Sequence, residues 1–269
     1  MKQFYITHLL LTIFFISSAI TSTDPAVQHS AFYLGEKLTY NVHYGALSIG
    51  TATMSIDKNT HAINEKTCYK IDVQGTTSPT AAMLGFKVNN TYRTYLDTQS
   101  LLPRRFYRHA HENNYILKEV VHFNHHQQLA TVEELDSTHE NIKCRKEFNI
   151  PSNVQDLVSG YYALRAIDTS KLQVGEKIAL DIFFDETTYH NFQIVFLGKQ
   201  ILTTPLGTFK VLVFSPVLPS NNTIFAGKDA VEVFISDDKN KIPLKLRVNL
   251  AIGKIEMDLN AHQGLKNDL

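Results

Sequence analysis

The 269-residue chain has no tryptophan and only two cysteines, and its 26 basic residues are balanced by 26 acidic ones. Each shortage excludes something. Phosphate neutralisation needs clustered Lys and Arg, so a zero net charge argues against nucleic-acid binding by bulk electrostatics. Neither a polybasic membrane patch nor an acidic tail is present. The lack of tryptophan removes the side chain that sugar-binding modules most often stack on their ligands. No G-x-S-x-G nucleophile turn occurs; "LVSGYY" puts Ser159 inside a predicted helix. "HYGALSIGTA" carries Gly45 and Gly50 but no helix follows, so it is not a phosphate loop. No cofactor is called for and no catalytic residue can be named from motifs. An enzyme built on carboxylates that meet only in space stays open as an alternative.

What is there begins at the N-terminus. Lys2 precedes "FYITHLLLTIFFISSAI", an apolar run flanked by small residues, and cleavage after Ala19 or Ser22 fits a secretory signal peptide over residues 1–22. The alternative is an uncleaved anchor, since the run is marginal in length for a bilayer. No cysteine follows the run to take a lipid. The expected location is the periplasm, across the inner membrane. There, Cys68 and Cys144 could close a disulfide or remain two buried thiols.

Beyond the leader, residues 23–269 read as one β-rich domain, in which two lobes divided near residues 152–168 and sharing a core fit better than two independent domains. "KLTYNVHY" alternates, with Leu38, Tyr40, Val42 and Tyr44 on one face. In "ALSIGTATMSI" the apolar face changes sides at Gly50, which predicts a β-bulge. Strand patterns recur to the end, separated by short turns rich in Asn, Asp, His or Pro. "SPTAAMLGF" suggests a short helix capped by Ser78 with Pro79 at its first position. A central helix is predicted over 152–168, with Ser152 and Gln155 at capping-box spacing and an apolar stripe including Val154, Leu157, Val158, Tyr161, Leu164 and Ile167. Arg165 in its last turn suits the helix dipole, and Gly160 predicts close packing. The expected fold is all-β and mainly antiparallel: a long meander curled into an open barrel or sandwich, with this amphipathic helix packed on it.

Two clusters invite chemistry. Six of the 12 histidines fall between His109 and His139. His109 and His111 share a strand face, and His122 could join them as a third metal ligand if the hairpin folds back. Exposed polar residues around hairpin turns are the simpler explanation. Asp237 and Asp238 form the other cluster, but "DDKNK" lies between "AVEVFIS" and an alternating run from Ile242 to Leu250, which reads as a turn.

The ordered segments "YLGEKLTYNVHYGALSIGTATMSI", "YLDTQSLLPRRF", "VQDLVSGYYALR", "TPLGTFKVLVFSP" and "VFISDDKNKIPLKLRVNLAIGKIEMDL" resemble domain of unknown function 3108 (DUF3108), a family of exported bacterial proteins. The resemblance implies a mostly β protein of the cell envelope and carries over no catalytic residue. A curled sheet of this kind can enclose an apolar ligand. The leading expectation is a non-enzymatic binding or envelope-assembly protein for a lipid or other apolar molecule, with Met54, Ile56, Phe184 and Phe196 as candidate cavity lining. The alternatives are a hydrolase or metal-dependent enzyme acting on envelope polymers, and an interaction module that pairs an envelope protein with an exposed strand edge.

Overall fold

The computed structural model describes residues 31–136, 141–217 and 229–269. The apolar leader and His139 lie outside them. Fourteen strands form one antiparallel sheet in the order β8-β7-β6-β5-β4-β3-β2-β1-β14-β13-β12-β11-β10-β9. The first half of the chain walks outward from β1 (Lys37–Tyr44) through β2 (Leu47–Ile63), β3 (Lys66–Thr77), β4 (Asn89–Asp97), β5 (Pro103–Glu112), β6 (Tyr115–Asn124) and β7 (Leu129–Leu135) to β8 (Ile142–Asn149). The second half starts at the opposite edge and walks back through β9 (Lys177–Phe184), β10 (Thr187–Thr204), β11 (Gly207–Pro216), β12 (Val231–Ser236) and β13 (Pro243–Asn249) to β14 (Lys254–Gln263). Pairing of β1 with β14 joins the two meanders at the middle.

The alternation that predicts these strands also sets their faces. Leu38, Tyr40 and Val42 of β1 are buried, as are Leu244, Leu246 and Val248 of β13. The predicted bulge is present: Val42 opposes Gly50 while His43 opposes Ser48, leaving Ile49 as the extra residue. Gly50 is required there, because a Cβ would lie 2.3 Å from the Thr76 carbonyl oxygen. Asp237 and Asp238 make the β12–β13 turn. Asp238 Oδ1 accepts from the backbone of Asn240 (2.8 Å) and Lys241 (2.9 Å), while Asp237 binds Lys199 (2.9 Å). Pro243 opens β13 as its first residue, although β13 is an interior strand rather than an edge.

The sheet is not closed by a backbone ladder between β8 and β9. Side chains bring those edges together. Lys146 of β8 reaches Glu186 at 2.8 Å, Phe148 packs on Phe183 at 5.6 Å between centroids, and Arg108 of β5 reaches Asp185 at 3.2 Å. Part of the β9 edge is also covered by Gln155, whose amide donates to Asp181 and whose carbonyl accepts from Phe183.

Helix α1 (Pro79–Met83) starts as predicted, with Ser78 accepting from the Ala81 amide. Helix α2 differs from its prediction in start and surroundings. It spans Leu157–Arg165, and its cap is Asp156, which accepts from Val158 and Ser159 while Ser159 Oγ accepts from the Asp156 amide. Residues 152–156 are not helical, because pairing with β9 takes Gln155 out of the expected capping box. The helix is no surface amphipath: seven of its nine residues are buried, including Ser159, Gly160, Tyr162 and Arg165. Gly160 allows the expected close approach, with Leu180 Cδ1 3.4 Å from where its Cβ would stand. Arg165 is not a solvated dipole partner. It donates to both carboxylate oxygens of buried Glu36 (2.5 and 2.7 Å) and to the carbonyls of Asn240 and Ala31.

Candidate functional site

One end of the curled sheet is empty. Where β1, β2, β3 and β14 meet, they enclose a cavity of about 470 Å³ that opens to solvent. Its walls are built by sequence choices on four elements. On β2 and β3 the inward positions are small, with Gly50, Ala52 and Gly75 alternating past Val73. Met257 and Ile255 of β14 and Val42 of β1 form the adjoining wall. Ala81 of α1 and the segment after it (Leu84, Phe86, Val88) cover one side.

The lining contains no Asp, Glu, His, Cys, Lys or Arg. Its hydroxyls are few: Thr51 and Thr76 bond each other at 3.2 Å, Thr77 Oγ1 accepts from the Val88 amide at 3.0 Å, and Tyr44 donates to the Ile252 carbonyl at 2.9 Å. Tyr44 also lies against Gly253, whose φ of +74° and contact with the ring (a Cβ would stand 2.3 Å from the hydroxyl) both demand glycine. The cavity mouth is apolar as well. Leu47, Met83, Leu84, Phe86 and Ile252 are exposed around it, with Ile252 82% and Met83 88% accessible. Such residues occupy turns and a helix end, where polar residues are the ordinary choice.

None of Met54, Ile56, Phe184 and Phe196 lines this cavity. All four are buried in the packed interior. Met54 and Ile56 share the inward face of β2 with Ala52 but lie farther from the mouth. Phe184 packs under the Arg108 guanidinium at 4.5 Å, and Phe196 packs on Phe214 at 5.2 Å. Apolar alternation identifies an inward face, but it does not say which stretch of that face is filled. The available signal was different: small inward residues at Gly50, Ala52 and Gly75, and large apolar residues in turns.

The histidines do not converge. His109 opposes Thr91 and Lys118, whereas His122 opposes Arg105 and Thr131, four residues along the β5 ladder. That separation is roughly 13 Å, beyond a shared metal. His111 is exposed beside Ile116, and His122 instead approaches Glu133 at 3.2 Å. Among the described residues no group of three or more His, Cys, Asp or Glu is placed to hold a metal ion. The two cysteines are unbridged: Cys68 is buried on β3 and Cys144 exposed on β8, with four strands between them. Burial, with Asp97 nearby, pushes the Cys68 thiol up to about 11.

A polar cluster that sequence reasoning missed lies at the seam. The Arg108 side chain is fully buried, 3.6 Å from Glu119 and 3.2 Å from Asp185. Burial raises the Glu119 carboxyl above its ordinary value, and Arg108 opposes that rise. Nearby, Asn90 donates to buried Glu112 at 2.7 Å. Arg108, with Glu119 and Asp185, ties the β9–β10 hairpin to β5 and β6, which gives these three a role in closing the sheet, while Asn90–Glu112 links β4 to β5.

Residues 39–260 match the model of a family described as protein of unknown function (DUF3108). No curated protein matches the chain. Among solved structures, a beta-barrel-like protein of domain of unknown function DUF1849 from Brucella abortus aligns with 9% identity and a TM-score of 0.49, over 88% of this chain and 99% of that one. A protein with a YmcC-like fold from Bacteroides fragilis aligns with 10% identity and a TM-score of 0.35, over 87% of this chain and 97% of that one.

Proposed function

The chain belongs to the DUF3108 family, and from that premise we propose that it is a non-enzymatic carrier holding an apolar or amphipathic envelope molecule. The observation that carries this reading is the open cavity of about 470 Å³ with no charged residue in its lining. Ligand pockets for small molecules run to about 300–1,000 Å³, so the volume is adequate for an acyl chain or a compact apolar ligand. Burying ten methylenes there would contribute on the order of 8 kcal/mol before the costs of association. A lining of aliphatic groups, engaged hydroxyls and backbone offers no nucleophile, general base or metal donor, and so favours retention over bond-making.

The working location is the periplasm, supported by the apolar leader with its small-residue flank. The ligand would then come from the envelope. The test is direct. Protein purified natively is extracted with organic solvent, and the extract is analysed by mass spectrometry; the stripped protein is then titrated with a fluorescent fatty acid below its micellar concentration. Co-purifying lipid and saturable uptake are expected. Stripped, folded protein that takes up neither fatty-acid nor phospholipid probe would sink the carrier reading.

A further inference from the structure

We propose that the cavity mouth is a membrane-docking surface, which places its rim against anionic phospholipid so that ligand passes between bilayer and cavity without crossing water. The proposal extends the carrier reading but rests on separate residues. Three segments, remote in sequence, meet at the mouth: 44–48 across the β1–β2 turn, 83–87 from the last residue of α1 onward, and 250–254 from the β13–β14 turn into the start of β14. Each puts a large apolar side chain into solvent: Leu47, then Met83 with Leu84 and Phe86, then Ile252. Isolated exposed apolar residues need no explanation, but several at one opening form a patch of the kind that marks an interaction site.

Charge selects the occupant. The three segments contain Lys87 and, as the first residue of β14, Lys254, and no Asp or Glu, in a chain whose overall charge is zero. Both lysines are exposed, and Lys254 also bonds Glu256 at 2.9 Å. Apolar tips that enter the acyl boundary, with basic residues at headgroup level, are the composition that binds anionic interfaces. Two lysines alone would give weak attraction, so the apolar tips must supply most of the binding. Continuity with the cavity supports the same occupant. Leu84, Phe86 and Ile252 are both rim and lining, so an acyl chain leaving the bilayer would meet apolar surface along its path.

The chain's lack of tryptophan makes a clean reporter. Met83 and Lys87 flank the mouth without lining the cavity. In Met83→Trp, the single indole is expected to shift to the blue when phosphatidylglycerol–phosphatidylethanolamine vesicles are added. Wild-type protein should co-sediment with those vesicles, less so with phosphatidylcholine alone. Met83→Glu combined with Lys87→Glu should lower the bound fraction at least fivefold, while uptake of monomeric fluorescent fatty acid in solution changes by less than twofold. No co-sedimentation of the wild type, or equal binding by the double variant, would overturn the docking proposal and leave the carrier reading standing. Vesicle binding without any probe uptake would do the reverse. A blue shift that grows with protein concentration in the absence of vesicles would overturn membrane docking in favour of a second copy on this face.

Discussion

The two ends of this one sheet hold opposite interiors. Around α2 the space is filled: Phe32, Tyr161 and Tyr162 pack edge to face, and Arg165 sits among them over the Phe32 ring at 5.2 Å. The void found there, beside Tyr161 and Lys241, is about 20 Å³, room for a single water. Around α1 the space is empty, although its walls are as apolar. The difference is residue size and charge. The filled end places aromatic rings and a buried ion pair on an inserted helix, whereas the open end places glycine and alanine on the strands and only a five-residue helix beside them. Rigidity at one end thus permits a cavity at the other, since the packed end holds the curl of the sheet.

The largest expected effect comes from breaking the filled end. Arg165→Ala leaves Glu36 buried and uncompensated, which should cost about 3–5 kcal/mol in urea denaturation. The double variant Arg165→Met/Glu36→Leu removes both charges and should recover most of that loss. If Arg165→Ala unfolds no earlier than wild type, the inserted helix is not what holds the curl.

Next in size is a pH dependence from the same end. Burial pushes Asp156 up to about 6, against hydrogen bonds from Thr94, Ser159 and Val158. Between the ordinary carboxylate value and about 6 the folded protein therefore holds a proton that the unfolded chain has released. Stability should fall as pH rises through that window and level off above it, with a total change on the order of 3 kcal/mol. Asp156→Asn should remove this slope relative to wild type. Glu256 acts in a lower window. Burial disfavours its charge but is outweighed by Lys254, Lys245 and Arg247, which hold it at about 2, so its contribution is lost only as pH falls toward that value. An unchanged slope in Asp156→Asn would mean that Asp156 is charged throughout.

The same contrast explains what could be read from the sequence. Strand alternation is local, so the meander, the bulge at Gly50 and the turn at Asp237 and Asp238 were legible. The start of α2 was not, because Gln155 is claimed by Asp181 and Phe183 of β9, partners set by tertiary structure. Arg165 read only as a charge suited to the helix dipole, since its partner Glu36 is 129 positions away. The cavity was illegible for a related reason. Its lining comes from three stretches of chain that only the β1–β14 pairing brings together. Met54 and Ile56 were chosen from the correct face of β2, but filling depends on the opposing side chains.

Filling the open end is the third way to test the comparison. Ala52→Phe projects a ring into the cavity from β2, and because space is available it should change stability by less than the roughly 1–3 kcal/mol typical of overpacked cores. Fatty-acid affinity should drop at least tenfold, or about 1.4 kcal/mol. Unchanged affinity would move the ligand elsewhere.

The smallest effect is a rate, and it compares two buried positions along a single strand. Cys68 stands near one end of β3, buried on the face opposite Tyr69 with Asp97 nearby. Val73, farther along the same strand, is comparably buried at 3% exposure but lines the cavity. Burial against atoms and burial against empty space should differ in reactivity, because a thiol can be attacked only where a reagent can reach it and a thiolate can form. In a Cys144→Ser background, which should leave stability within about 0.5 kcal/mol, native Cys68 should resist an uncharged maleimide. Val73→Cys in that background should label severalfold faster, and fatty acid should protect it while leaving Cys68 unchanged. Equal labelling of the two would mean that the cavity wall at Val73 is as closed in solution as the covered site of Cys68.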